Sequence, residues 1–174
     1  MTALPDSMIF IGGGVIATEL GHMLKRAGCS VMILKAMPQL PPCIDPGAIA
    51  EIEWESERVG MKILKSVDVK SIAADGNTLT ASLVRDGAEK PLSAARVANG
   101  TGRVPNIDGL DLEAGGFIYC GLRIEVDKYW RSVSNPGAYI AVGALSHTAQ
   151  LSPVPRYEGR LVGDKTVNGD SKTP

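Results

Sequence analysis

The residues best suited to chemistry stand near the amino terminus. Gly12, Gly13, Gly14, Val15, Ile16 and Ala17 make the spacing Gly12-x-Gly14-x-x-Ala17. That spacing is a fingerprint for cradling a pyrophosphate. Gly12 permits a tight turn, Gly14 lets a phosphate approach the backbone, and Ala17 is small enough for helix and strand to pack closely. The unsatisfied N–H groups of the helix's first turn then face the anion. The same run also serves as a glycine-rich strand-to-helix turn without a ligand, so its context decides. Lys35 lies 21 residues after Gly14, and no Asp or Glu follows it until Asp45. In dinucleotide-binding folds this place reads the adenosine ribose, where an acid accepts from the hydroxyls and a base accommodates a 2′-phosphate. Lys35 therefore either selects NADP over NAD or is an exposed strand-end lysine.

Other reactive side chains offer less. Cys29, Cys43 and Cys120 are odd in number and unrelated in spacing, so they form neither a disulfide framework nor a zinc site. Free structural thiols in a reducing cytoplasm are the simple expectation. His22 falls on the first helix and His147 in a loop, and surface placement is expected of both. Glu51, Glu53, Glu55 and Glu57 read as a solvated helix face, not as a metal site or a docking face for a basic partner. No residue is assigned a catalytic role, and no metal is expected.

The elements around the glycine loop give the context it needs. Met8 to Ile11 is a short apolar run suited to a buried parallel strand, and it enters the loop at once. From Val15 the period becomes helical, with Ile16, Leu20, Met23, Leu24 and Ala27 recurring and Gly28 as a stop. Ser30 to Leu34 is a second strand, completing β-α-β in about 28 residues, the compact unit of a dinucleotide-binding fold. Met37 to Pro46 is a proline-rich connection. Asp45 then caps a helix with Pro46 at its first position, Ile49, Ile52, Ser56 and Val59 share one stripe, and Gly60 ends it. Met61 to Leu64 is a third strand. Val67 to Ala73, Thr78 to Arg85 and a piece near Lys90 then form an antiparallel meander, with turns at Asp75-Gly76-Asn77 and Asp86-Gly87. Ala94 to Ala98 is one more short strand, running into Asn99-Gly100-Thr101-Gly102-Arg103.

Composition excludes several partners. Lys and Arg total 18 against 19 Asp and Glu; residues 1–103 hold 11 of each sign and the remainder 7 and 8. Neither part has the basic excess that neutralises a nucleic-acid backbone. No Lys or Arg precedes Lys25, so no charged leader is expected. The apolar run Met8 to Thr18 falls short of the roughly 20 residues of a membrane span. Ser132 to Pro155 is uncharged but broken by three prolines and Asn135, and reads as loop and strand. The fold class is α/β, and the polar residues from Lys165 onward are expected to be a disordered tail.

Several motifs in order carry a resemblance. Phe10-Ile-Gly-Gly-Gly-Val-Ile-Ala-Thr-Glu19-Leu, Asp45-Pro46, Gly100-Thr-Gly-Arg103-Val-Pro-Asn106, Gly109-Leu-Asp-Leu-Glu113, Ile124 to Ser132, Asn135-Pro136, Tyr139 to Gly143, Leu151 to Val154 and Glu158-Gly159-Arg160 follow one another across residues 5–164. In this order the chain resembles the flavoprotein pyridine nucleotide-disulfide oxidoreductases, the group of glutathione reductase, dihydrolipoamide dehydrogenase and mercuric reductase. The resemblance implies an NAD(P)H-binding domain over residues 5–102 and a second segment of an FAD-binding domain over residues 103–164. It places Glu19 near the nicotinamide, Gly102 on the adenine side, and Arg103, Gly143 and Ser152 beside flavin. It also implies departures. The first FAD half, the redox cysteine pair and the His-Glu pair have no counterpart here, and Ala144 replaces an expected Asp. The role implied is to pass hydride from NAD(P)H to FAD in an intact enzyme, the remaining FAD half being either carried by a separate chain or lost. The alternative is a non-catalytic dinucleotide-binding module.

Overall fold

The computed structural model describes residues 3–38, 45–85, 87–104, 106–121, 123–140 and 153–169. The chain divides into two compact units, Met1–Gly102 and Arg103–Pro174.

In the first unit β1 (Ser7–Ile11), α1 (Val15–Arg26), β2 (Ser30–Leu34), α2 (Pro46–Arg58) and β3 (Lys62–Leu64) follow in order, and β7 (Arg96–Asn99) returns to the sheet. The parallel sheet runs β3-β2-β1-β7. Its strands alternate residue by residue between two cores, because successive side chains of a strand point to opposite faces. Phe10, Val31 and Ile33 join Ala17, Leu24 and Met61 on the helical face. Ile9 and Leu34 join Val67, Ala81, Leu83 and Ala94 on the other face, which is covered by the meander β4 (Asp68–Asp75), β5 (Thr78–Arg85) and β6 (Ala88–Ala94). Burial on both faces is why β1 and β2 are continuous apolar runs. Gly76 and Gly87 take the positive φ that the hairpin turns require. The last strand starts later than its apolar run suggested. Ala94 still belongs to β6, and Ser7 Oγ accepts from Ala95 N at 2.9 Å at the corner before β7.

The helices show two departures. In α1 the residues against the sheet are Ala17, Gly21 and Leu24, whereas Ile16, Leu20 and Met23 are 44%, 41% and 58% exposed. The small residues win the inner face because they allow close approach: a Cβ on Gly21 would stand 3.1 Å from Met61 Sδ. In α2 the Asp45 cap forms as expected, Oδ1 accepting from Gly47 N at 2.9 Å and Ala48 N at 3.2 Å. The glutamates of α2 are not uniformly solvated. Glu55 pairs with Arg26 and Arg58, and Glu53 with Lys65 at 2.6 Å. His22 is not a free surface residue. Ser56 Oγ donates to Ile52 O at 2.6 Å, so the 2.9 Å contact with His22 Nε2 is a donation from the imidazole. His147 and Cys43 lie outside the described residues; Cys29 and Cys120 are free thiols.

The second unit has a small core of Ile107, Leu112 and Ile124 and a short hairpin of β8 (Tyr119–Cys120) with β9 (Arg123–Ile124). Tyr139 makes one isolated bridge to Arg131 and Ile140 N donates to Trp130 O at 2.8 Å; residues 141–143 of the expected strand lie outside the described residues. The expected disorder is corrected for residues 165–169, and residues 170–174 lie outside the described residues. Helix α3 spans Pro153–Asn168, and Lys165 is 2% exposed. Its ammonium donates to Tyr129 O at 3.2 Å and lies 4.9 and 5.1 Å from the Tyr129 and Trp130 rings. A lysine held by a carbonyl and two aromatic faces keeps its charge satisfied while its stem is buried.

Candidate functional site

The parallel register brings the carboxyl ends of three strands together, with Ile11 opposite both Leu34 and Asn99. The next residues, Gly12, Lys35 and Gly100, therefore line one edge of the sheet, where open α/β sheets take their ligands. Gly12 N donates to Leu34 O at 2.8 Å, and Gly100 N donates to Ile11 O at 2.7 Å, so the ladder extends into the loop.

The two fingerprint glycines have different reasons to be glycine. Gly12 has φ +101, and a Cβ on it would stand 2.3 Å from Gly100 O and 2.8 Å from Thr101 Cα. No other residue fits there, whatever the loop binds. Gly14 has φ −78 and ψ 177, which any residue adopts. A Cβ there would meet only Gly100 O, at an ordinary 3.8 Å. The protein's own packing does not demand glycine at this position.

Gly14 is also the N-cap of α1, and no side chain caps the helix. Thr18 N is the first to bond within it, to Gly14 O at 3.0 Å. The N–H groups of Val15, Ile16 and Ala17 thus have no intrahelical acceptor. The first turn carries no acidic residue, so the positive end of the helix dipole is not offset there. Ala17 is fully buried, and a Cβ on Gly100 would come within 3.2 Å of its methyl. Glu19 is exposed further along α1. The arrangement suits an anionic group seated on backbone amides.

Lys35 closes β2 and is 6% exposed, so it is not an exposed strand-end lysine. Its N donates to Leu64 O at 2.8 Å and its O accepts from Val67 N at 2.9 Å, next to Ser66 at φ +55. Gly102 ends the first unit at φ +125 with open space around it, and Arg103 opens the second unit as an exposed residue. Gly143 and Ser152 lie outside the described residues. Sequence reasoning passed over Gly100, which the structure places against Gly12 and Ala17; its signal was a second Gly-x-Gly directly after a short strand. A depression of about 670 Å³ lined by Leu4, Met8, Asn77 and Arg96 lies at the amino-terminal ends of β1 and β7, away from this loop. Among the described residues no group of three or more His, Cys, Asp or Glu is placed to hold a metal, and no helix is long and apolar enough to cross a membrane.

Comparison with known proteins assigns this loop to a lineage. The family model for pyridine nucleotide-disulphide oxidoreductases matches residues 2–157. The chain belongs to that family. Dihydrolipoyl dehydrogenase of Mycobacterium tuberculosis is 34% identical over 167 residues, covering 95% of this chain and 35% of the relative. Mercuric reductase of Staphylococcus aureus is 28% identical over 165 residues, covering 94% and 30%. The chain thus spans about a third of the length of the curated relatives it matches. The crystal structure of LpdA from Mycobacterium tuberculosis superposes with a TM-score of 0.87 at 23% identity, over all of this chain and 37% of that one. The HOCl-induced flavoprotein disulfide reductase RclA of Escherichia coli gives 0.82 at 21% identity, over all of this chain and 38% of that one. These two likenesses establish the fold. Flavin and pyridine nucleotide are the cofactors of the family as a group.

Proposed function

We propose that the first unit binds NAD(P)H, with its pyrophosphate on the loop Gly12 to Ala17. Gly14 carries this reading, because its missing side chain leaves open space at uncapped helix amides. The family setting supports it. In that setting the bound nucleotide supplies a hydride to flavin, and this chain's part is to hold and orient it. Glu19 is proposed on the nicotinamide side, with Lys35 and Gly102 on the adenosine side. No carboxylate lies between Lys35 and Asp45 to repel a 2′-phosphate, which favours NADP(H) over NAD(H). The free Cys29 and Cys120 thiols support a reducing, cytoplasmic setting.

Turnover belongs to a larger assembly in this reading. Cys29, Cys43 and Cys120 include no closely spaced pair to relay electrons. The proposed partner is a chain carrying the remainder of the FAD-binding fold, with Arg103, Gly143 and Ser152 on the flavin side. Titration calorimetry of the purified chain with NADPH, NADH and FAD tests these assignments. Binding of a nicotinamide nucleotide with little or no FAD uptake is the expected result. A chain that binds neither nucleotide, or that reduces a disulfide by itself with NADPH, overturns the reading.

A further inference from the structure

The turn that follows β7 is pressed against the nucleotide loop from one side. Gly100 O is the nearest atom to the space a Cβ would take on both Gly12, at 2.3 Å, and Gly14, at 3.8 Å. Thr101 Cα closes the same side of Gly12 at 2.8 Å. Gly12 therefore has no slack toward this turn, and where the Gly100 carbonyl sits decides where Gly12, the start of the loop, sits. Among the described residues the backbone bond that ties the turn is at its near end, from Gly100 N to Ile11 O.

The far end is tied by one side chain. Asn99 Oδ1 accepts from Thr101 N at 3.1 Å and from Thr101 Oγ1 at 2.8 Å. Asn99 pairs in register with Ile11, the residue just before the loop, and its side chain is exposed. It fills no core space. What it does is close the Gly100–Thr101 turn over itself.

We propose that Asn99 is a positioning residue for dinucleotide binding, locking the Gly100–Thr101 turn as the stop against which Gly12, and through it the rest of the loop, is set. The inference rests on the reading that this loop binds NAD(P)H. Asn99 touches no nucleotide in this scheme; it acts through Thr101 and Gly100. Without its carboxamide the two Thr101 donors turn to water, and the turn and loop gain freedom that binding must then remove.

The test uses the full chain and two readouts. In the ligand-free protein, Asn99→Ala shifts the amide resonances of Gly12 and Gly14 in a nitrogen-15 correlation spectrum. By calorimetry its affinity for NADPH falls between about threefold and tenfold, the worth of one ordinary hydrogen bond. The thermal midpoint stays at the parent value, because no buried group is removed. Thr101→Ser keeps both donors and retains parent affinity, whereas Thr101→Val loses one donor and weakens binding. Unmoved glycine amides overturn the proposal, even where affinity falls, since Asn99 would then act on the nucleotide directly. Moved amides with unchanged affinity overturn it as well. Failure of the parent chain to bind NADPH or NADH is a different result: it removes the binding reading itself and this inference with it.

Discussion

At Gly12 and Gly14 the same residue type answers two unrelated demands, and substitution separates them. Gly12→Ala forces a Cβ into the Gly100 carbonyl at a backbone conformation L-residues avoid, so it is expected to lower the thermal midpoint as well as binding. Gly14→Val meets no such obstacle in the protein. It is expected to abolish NADPH binding while circular dichroism keeps the parent spectrum and the thermal midpoint falls only by the cost of a poorer N-cap residue; a variant that still binds normally refutes the site. Lys35 gives a weaker and more specific expectation. One charge-assisted contact to a 2′-phosphate is worth about 1.5 kcal/mol, on the order of tenfold. Lys35→Met should therefore weaken NADPH binding by about that factor and leave NADH binding unchanged, and equal affinity of the parent chain for both nucleotides rules the preference out.

Between elements, His22 with Ser56 and Arg26 with Glu55 join α1 to α2, and Arg58 pairs with the same Glu55 from within α2. The hydrogen bonds from Arg58 and then Arg26 hold the Glu55 carboxyl down at about 2. A carboxyl lowered in the folded state stabilises it fully above its ordinary value near 4.5, and that stabilisation is lost as pH falls toward 2. The difference in thermal midpoint between the parent and Glu55→Gln should therefore be largest near neutrality and shrink on acidification. A difference independent of pH would mean that the two arginines do not hold this carboxylate. The Asp45 cap acts on α2 alone. Asp45→Ala leaves the Gly47 and Ala48 amides without their acceptor and should cost about 1 kcal/mol in denaturant melts.

On the scale of the whole molecule, the second unit carries a buried carboxyl on its helix. Glu158 on α3 is 4% exposed, its Oε2 has no hydrogen-bond partner among the described residues, and burial pushes its carboxyl above the ordinary value. Below the unfolded value both states hold the proton and nothing is lost. As pH rises toward the raised native value the unfolded chain releases its proton first, so stability falls. Glu158→Gln should therefore melt above the parent at neutral pH, with the gap closing toward pH values near about 4, below the unfolded carboxyl range. A variant that melts below the parent at neutral pH would show that the carboxylate has a stabilising partner. Among the described residues the second unit's core of Ile107, Leu112 and Ile124 is smaller than either core of the first. A lower barrier to local opening is expected around that core, read as faster amide exchange at Ile107, Leu112 and Ile124 than at Ile9, Phe10 and Ile33.

The β-α-β unit, the Gly12 to Ala17 loop, the Asp45 cap and the meander were legible in the sequence because each depends on neighbours within a few residues: period, turn glycines and capping side chains. The family likeness was legible too, since it rests on motifs in linear order. The face α1 turns to the sheet was not, because Gly21 carries no hydrophobic signal and earns its place only where Met61 arrives from the end of α2. The course of α3 was hidden for a similar reason. A polar stretch around Lys165 reads as solvated until Tyr129 and Trp130, distant in sequence, supply a carbonyl and two ring faces. Gly100 and Asn99 belong with these. That Gly12 must be glycine was readable from the turn it makes; that Gly100 presses on it, and that Asn99 holds Gly100 there, follows only from β7 returning beside β1.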